Sequence, residues 1–173
     1  MNRIRKIVLA GLMMALGIVL PFVTGQIPQI GSMLLPMHIP VLLCGFICGW
    51  KYGLVVGAVV PLLRSMMFGM PPMMTAIAMA FELAAYGCVT GFLYKNLPGK
   101  KVKLYISLIS AMILGRIVWG MVSLVIYGVT NAVFTWQIFI GGALLNAIPG
   151  IILQLIVVPA LVLVIEKNWR NIA

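Results

Sequence analysis

The chain has 173 residues, of which 64% are hydrophobic and 8% are charged. This composition leaves too little polar surface to cover a water-soluble globule of that size, so it argues against a soluble enzyme or binding domain and predicts an all-α integral membrane protein. The net charge is +10, which reflects 12 basic residues against 2 acidic ones.

Apolar runs divide the chain into six predicted helices. A spanning helix needs roughly 20 mainly apolar residues, so one transmembrane domain, 1–173, can hold six of them. The runs place these helices at about 4–22, 39–50, 52–68, 73–94, 104–128 and 136–165. Lys51 marks the turn between the second and third helices. The first run also fits a signal peptide, but no A-x-A-like cleavage site follows it.

The basic residues predict the orientation of this six-helix bundle. If the N-terminus is cytoplasmic, ten of the twelve basic residues lie in cytoplasmic segments and none lies in an outer loop. The ten are Arg3, Arg5, Lys6, Lys51, Lys95, Lys100, Lys101, Lys103, Lys167 and Arg170. Both termini are then cytoplasmic. The positive-inside rule and contact with anionic lipid explain the net charge, and no nucleic-acid partner is predicted.

Five polar side chains are predicted at one depth within the membrane. His38, Arg64, Glu82, Arg116 and Gln154 each lie 13 residues from a basic residue of an inner segment. At about 1.5 Å per residue, each lies about 20 Å from the inner face of the membrane. An ionisable side chain inside the bilayer costs roughly 2.5 to 3.5 kcal/mol on insertion scales and usually marks a functional site. We therefore predict one site in the outer half of the bundle.

Small and polar residues recur at helical spacing on three of these helices. The stripes are Thr75, Met79, Glu82 and Tyr86 on the fourth helix, Arg116, Gly120, Ser123 and Tyr127 on the fifth, and Gly142, Asn146, Gly150 and Gln154 on the sixth. Three inward-facing polar stripes enclose either a hydrogen-bonded core or a ligand cavity.

The charges of this layer favour an anionic or zwitterionic small molecule. Glu82 can pair with one arginine simply to hold the bundle together, but two arginines against one glutamate leave a positive charge. A guanidinium binds a carboxylate through two parallel hydrogen bonds. The predicted substrate-binding residues are His38, Arg64, Glu82, Tyr86, Arg116, Asn146 and Gln154. An interhelical hydrogen bond is the alternative role for Asn146, and a loop or cap position is the alternative for His38.

Several kinds of chemistry have no motif in this chain. The sequence contains no G-x-x-x-x-G-K-[ST] phosphate-binding loop, nucleophile elbow or H-E-x-x-H metal site, so we expect neither catalysis nor nucleotide hydrolysis. No cofactor or metal is predicted. The methionines between Met66 and Met74 could hold Cu(I), but adaptable apolar packing around a ligand entrance is the favoured interpretation. The three cysteines lie in apolar runs and are expected to pack there.

A small-xxx-small pair, Gly11 and Ala15, lies in the first helix. Such a pair lets a second helix approach closely, either within this bundle or on a partner subunit. Without nucleotide hydrolysis by this chain, transport against a gradient needs an ion gradient or a partner.

Together these residues resemble the substrate-binding S components of energy-coupling factor (ECF) transporters, the bacterial vitamin importers. The similarity covers essentially the whole chain and is carried by several segments. They are the basic N-terminus, Gly11-Leu-Met-Met-Ala15, the first outer loop through Leu35-Pro36-Met37-His38-Ile39-Pro40, the turn Gly49-Trp50-Lys51-Tyr52-Gly53, Pro61-Leu-Leu-Arg64-Ser65, Phe68-Gly69-Met70-Pro71-Pro72, Ala80-Phe81-Glu82-Leu83 and Asn146-Ala-Ile-Pro149-Gly150. These segments are similar to members of pantothenate type or of unassigned substrate.

The resemblance implies a function beyond what the spacing indicates. It implies a six-helix subunit of the bacterial plasma membrane that binds a vitamin near its outer side. It also implies docking through small residues of the first helix, here Gly11 and Ala15, on a transmembrane coupling subunit that carries two ATPases. In this chain glycine stands at position 11 where the family motif has alanine.

Two other classes of membrane protein remain as alternatives. A stand-alone ion-coupled carrier or channel would use Glu82 as a proton site and would work without partners. A membrane scaffold would use the polar layer only for packing, and would bind no small molecule.

Overall fold

The computed structural model describes residues 2–24, 34–99, 101–129 and 147–172. These residues form the helices α1 (Arg3–Thr24), α2 (His38–Cys48), α3 (Trp50–Phe68), α4 (Met73–Asn96), α5 (Lys101–Val129) and α6 (Ile148–Ile172). No strand occurs among them, and the all-helical prediction is confirmed for this part of the chain. The first part of the predicted sixth helix, 136–146, lies outside the described residues.

Five of the described helices are long and apolar enough to cross a membrane. In lipid every backbone N–H and C=O must be paired within the protein, which a continuous helix achieves. The exception is α2, whose 11 residues are fewer than the roughly 20 that a span requires. Multiple apolar helices of this length are the mark of a multi-pass membrane protein.

Glycines determine where two of the helices end. The break between α2 and α3 falls at Gly49, with φ +97°, and not at Lys51 as the sequence predicted. Lys51 lies inside α3 instead, because a residue with a Cβ rarely adopts such a φ whereas glycine does so readily. At the other end of α3, Gly69 adopts the left-handed conformation and its N–H donates to the Ser65 carbonyl, the usual glycine C-cap.

The short helix α2 occupies the centre of the bundle. It packs against α1, α3, α4 and α6, and its residues from Pro40 to Phe46 are all buried. Five of them, Val41, Leu42, Leu43, Cys44 and Phe46, join the main hydrophobic core. His38, the first residue of α2, is therefore held inside the bundle by the helix that follows it.

The closest helix contact joins α3 to α4. A Cβ built at Gly53 would lie 2.5 Å from the Gly87 carbonyl oxygen, and one built at Gly87 would collide with the backbone of Gly53. Gly57 meets Leu83 in the same way, and Gly91 meets Trp50. Glycines four residues apart on both helices thus bring the two backbones into contact, as in other membrane helix pairs, and fix which face of α4 turns inward.

The two ends of the bundle differ in charge. At the end that we call the basic end, α4 finishes after Lys95 and α5 begins with Lys101 and Lys103. There the Tyr94 hydroxyl donates to Glu166 of α6 at 2.6 Å, and the Lys103 ammonium lies 4.1 Å from the centre of the Tyr94 ring. At the opposite end α3 turns into α4.

Candidate functional site

An ion cluster lies inside the half of the bundle away from the basic end. Oε1 of Glu82 lies 2.9 Å from Nη1 of Arg116 on α5 and 3.5 Å from Nε2 of His38 on α2. Glu82 and His38 are 2% and 1% exposed, and Arg116 is 13% exposed. One carboxylate oxygen on α4 is thus shared between an imidazole and a guanidinium from two other helices.

Tyr86 completes the wall of this cluster. It lies one turn after Glu82 on α4, and its ring packs edge-on against His38 with the centroids 5.1 Å apart. The ring also fills the space beside Gly115, where an added Cβ would lie 2.8 Å from Cε2 of the tyrosine. The absence of a side chain at Gly115 therefore lets the tyrosine pack beside Arg116, the next residue of α5.

Several buried polar atoms of this region have no hydrogen-bond partner among the described residues. They are Nδ1 and Nε2 of His38, Nε and Nη2 of Arg116, and both amide atoms of Gln154. An unpartnered polar group in an apolar interior costs roughly 1 to 3 kcal/mol, and most native proteins carry few of them. Three helices, α2, α5 and α6, contribute these unpartnered groups.

The Arg116 guanidinium pairs with Glu82 through one nitrogen, and the edge formed by its other two nitrogens does not take part in this pair. Nη1 faces Glu82, whereas Nε and Nη2 are buried and unpartnered among the described residues. The N–H bonds of Nε and Nη2 point in the same direction, and this pair forms the side-on fork that holds a carboxylate by two parallel hydrogen bonds. Arg116 can therefore keep its ion pair with Glu82 and bind a second carboxylate.

Gln154 lies on the buried face of α6. It is 1% exposed, and the face continues through the buried residues Ala147, Gly150, Val158 and Val162. An amide with two donors and an acceptor buried among apolar side chains is unusual unless it is paired.

Arg64 lies apart from the cluster, although the sequence placed it in the same layer. Its Nη1 donates to the Ile18 carbonyl of α1 at 2.6 Å, and its guanidinium lies 4.5 Å from the centre of the Phe22 ring. No ion pair joins Arg64 to Glu82 within the described part of the chain. Since α3 turns this side chain toward α1, the expected surplus of one arginine at Glu82 is not observed.

The remaining predicted residues lie elsewhere. Asn146 lies outside the described residues, as does Gly142. Gly11 and Ala15 are exposed on α1, and a Cβ added at Gly11 would meet nothing within 4 Å. Both small residues therefore face away from the other described helices, while Ala10, Met13 and Gly17 face toward them.

A cleft of about 210 Å³ lies between α4 and α5, beyond the ion cluster. Thr75 and Ser123 contribute hydroxyl groups to its lining, Trp119 and Tyr127 contribute aromatic rings, and the other lining residues are apolar. Thr75 and Ser123 each lie seven residues, or two helical turns, from Glu82 and Arg116 respectively. The cleft thus continues the two faces that carry the ion pair.

No pattern in the sequence predicts one of the cleft residues, Trp119. Thr75, Ser123 and Tyr127 belong to the predicted stripes, but Trp119 does not, since an aromatic residue in an apolar run is equally suited to lipid or to packing. Its place three residues after Arg116, on nearly the same helix face, would have been the only indication.

Comparison with known proteins gives one match. The family model of the ECF transporter substrate-specific component matches residues 5–162. No curated protein and no solved structure gives a significant match. The family match includes α1 to α5, the ion cluster and most of α6. The chain therefore belongs to the family of ECF transporter substrate-specific components, membrane subunits that bind the substrate while partner subunits hydrolyse ATP.

Proposed function

We propose that this chain captures a carboxylate-bearing small molecule, a vitamin such as pantothenate, at the outer side of a bacterial plasma membrane. It hands the molecule to a transmembrane coupling subunit with two ATPases for import. The observation that carries the choice of ligand is the free edge of Arg116, whose buried Nε and Nη2 have no partner among the described residues. A carboxylate satisfies both donors at once.

The ion pair explains why this edge stays available. Without Glu82, the Arg116 guanidinium would be an uncompensated buried charge, which is costly in a low-dielectric interior. Glu82 neutralises it through Nη1 at 2.9 Å and leaves the side-on fork unused. The Tyr86 ring, buried between His38 and Gly115, fixes the position of the pair.

The cleft between α4 and α5 has room for the rest of a small ligand. Its volume of about 210 Å³ is below the range of about 300 to 1,000 Å³ that is usual for drug-sized molecules. The hydroxyls of Thr75 and Ser123 suit a ligand whose body carries hydroxyl or amide groups. We expect Gln154, buried and unpartnered among the described residues, and Asn146 to contribute further polar contacts.

The distribution of charge supports the proposed orientation. The basic end joins Lys95 to Lys101 and Lys103, while the ion cluster and the cleft lie toward the other end. Under the positive-inside rule the basic end is cytoplasmic. The site then opens toward the outer side, and both termini are cytoplasmic, as an importer of this class requires.

The exposed small residues of α1 support docking on a partner. Gly11 and Ala15 lie on the exposed face of α1, and α1 is the least buried of the five long helices. A strip without bulky side chains lets a second helix come into backbone contact. We therefore propose this strip as the contact with the coupling subunit.

Arg116→Lys tests the ligand assignment. Lysine keeps the positive charge beside Glu82 but lacks the two-pronged edge. We expect pantothenate to bind about 10- to 100-fold more weakly, because charge-assisted hydrogen bonds contribute about 1.5 to 3 kcal/mol. Equilibrium binding to the purified protein in detergent measures the change.

Arg64→Lys is the matched control for this experiment. The same substitution is made at a buried arginine of α3 that faces α1, so we expect pantothenate affinity to stay within about twofold. Unchanged affinity in a well-folded Arg116→Lys protein would remove Arg116 from the site. Equal losses in both variants would mean that the loss reflects general damage to the bundle.

A further inference from the structure

The charges of Glu82 and Arg116 balance each other, and a bound carboxylate would disturb this balance. Arg116 carries one positive charge and Glu82 one negative charge, and they meet at 2.9 Å. His38 contributes no charge in its neutral form, so the three residues sum to zero. A carboxylate bound at the free edge of Arg116 adds a second negative charge within the same guanidinium's reach, and like charges repel strongly where water is excluded.

His38 is placed to remove this imbalance. Its Nε2 lies 3.5 Å from Oε1 of Glu82, the oxygen that Arg116 also contacts. The imidazole is 1% exposed, and neither of its nitrogens has a partner among the described residues. With a proton on both ring nitrogens, the imidazole would carry a positive charge, which would turn this contact into an ion pair and return the ligand-bound site to neutrality.

Among the described residues, Glu82 is the one charged group in contact with His38 that could take up the proton in its place. From α4 the histidine meets Glu82 and the Tyr86 ring, and α5 supplies Arg116 through Glu82. On α3, Arg64 is turned toward α1, and Gln154 of α6 is uncharged. Among the described residues, α1 and α6 place no ionic partner within 4 Å of His38. Glu166 lies at the basic end, bonded to Tyr94.

We propose that binding of a carboxylate ligand is coupled to uptake of one proton by His38. This inference rests on the proposed function and adds a regulatory property to the same site. Because the proton enters with the ligand, affinity rises as pH falls. Linkage of one proton weakens binding by up to about tenfold per unit rise in pH.

Calorimetry of pantothenate binding in two buffers of different ionisation enthalpy counts the protons taken up. We expect about one per pantothenate, and none with panthenol, which carries an alcohol in place of the carboxylate. His38→Gln should abolish the uptake with pantothenate. Cys44→Ala, a change at a buried residue of the same helix, should leave the proton count at one.

The results separate this inference from the function on which it rests. Tight pantothenate binding without proton uptake by the unaltered protein overturns the coupling alone. Uptake that persists in His38→Gln and disappears in Glu82→Gln assigns the proton to Glu82 and overturns the role of His38. If His38→Gln does not fold, the proton counts for pantothenate and panthenol in the unaltered protein still decide the coupling. If none of pantothenate, biotin and nicotinate binds, the proposed function fails and the coupling fails with it.

Discussion

A buried polar side chain without a hydrogen-bond partner lowers the stability of this bundle, but it favours the binding of a polar ligand. Gln154 is 1% exposed and has no partner for either amide atom among the described residues. In the ligand-free protein this amide is a cost, because it has lost its hydrogen bonds to water. In the ligand-bound protein, polar groups of the ligand can replace these lost hydrogen bonds.

Gln154→Met is therefore expected to act in opposite directions on stability and binding. Methionine is similar in length and apolar, so the ligand-free protein should be stabilised by about 1 to 3 kcal/mol, the cost of an unpartnered buried polar group. Thermal unfolding in detergent should show a higher midpoint without ligand. The additional rise in midpoint on adding pantothenate should be smaller than in the unaltered protein.

Ser107→Ala is the control for this prediction. Ser107 is also buried, but its hydroxyl donates to the Lys103 carbonyl at 2.6 Å, so its removal relieves no unpartnered group. We expect no gain in midpoint. A Gln154→Met protein with a lower midpoint than the unaltered one would show that the amide is already satisfied in the ligand-free state.

At the residue scale, the sequence predicts how deep a side chain lies in the membrane better than it predicts the direction in which that side chain points. The 13-residue spacing placed Arg64 and Arg116 in one layer, but only Arg116 meets Glu82. A count along a helix gives height, whereas the direction of a side chain depends on how the helix is rotated against its neighbours. On α3, Arg64 follows Gly57 by seven residues and so lies on nearly the same face of a regular helix. Its guanidinium nevertheless reaches the Ile18 carbonyl of α1, which the spacing alone does not predict.

At the scale of helices, the glycine contact between α3 and α4 holds the site in register. Gly87 lies one turn after Leu83 and five residues after Glu82 on α4, and a Cβ built there would collide with the backbone of Gly53. Any outward movement of α4 at this point would carry Glu82 and Tyr86 away from α2 and α5. Packing at one pair of glycines therefore positions groups on three helices.

Gly87→Ala is expected to destabilise the protein and weaken ligand binding together. The added methyl group would overlap backbone atoms of α3, which cannot move aside as a flexible side chain can. Overpacking of a tight core costs about 1 to 3 kcal/mol. A lower unfolding midpoint, measured with and without pantothenate, would show the effect.

Gly128→Ala provides the comparison for the same substitution in an open position. Gly128 lies near the end of α5, and a Cβ there meets nothing within 4 Å. Since alanine favours a helix by up to about 1 kcal/mol over glycine, stability should be unchanged or slightly higher. If both variants lost equal stability, the cause would lie in helix propensity or in general fragility, and not in the α3–α4 contact.

The apolar runs made the helices predictable, but not the role of α2. Its run from about residue 39 was recognised, yet a short apolar segment looks the same in sequence whether it faces lipid or lies in a protein core. The sequence predicts the break at Lys51, two residues after its observed position at Gly49, because a charged residue interrupts an apolar run more clearly than a glycine does. The conformation with φ +97° that requires glycine is a local property, and the neighbouring apolar residues do not reveal it.

At the scale of the whole molecule, α1 differs from the other long helices. It is the least buried of them, and its exposed face carries Gly11 and Ala15 among larger apolar residues such as Val8, Leu12 and Val19. Lipid accepts large and small apolar side chains equally, so a lipid-facing surface has no need of a small-residue strip. Close contact with another helix does require one.

Enlarging this strip should separate binding from transport. In a Gly11→Leu/Ala15→Leu protein the new side chains point away from the ion cluster, so pantothenate affinity should stay within about twofold. The same leucines would hold a partner helix away from the α1 backbone, and uptake by the assembled complex should fall to background. Equilibrium binding to the purified subunit and uptake into vesicles that contain the coupling subunit and the ATPases measure the two properties.

The matched control is Ala160→Leu, the same enlargement at an exposed alanine of α6. If the contact lies on α1, this variant should bind and transport normally, because lipid accommodates the added side chain. Normal uptake by the Gly11→Leu/Ala15→Leu protein would exclude the strip as a docking surface. Loss of uptake in both variants would instead indicate that the partner surrounds much of the bundle. Loss on α1 alone would confine the partner to the face of α1 that carries Gly11 and Ala15, which is exposed among the described residues.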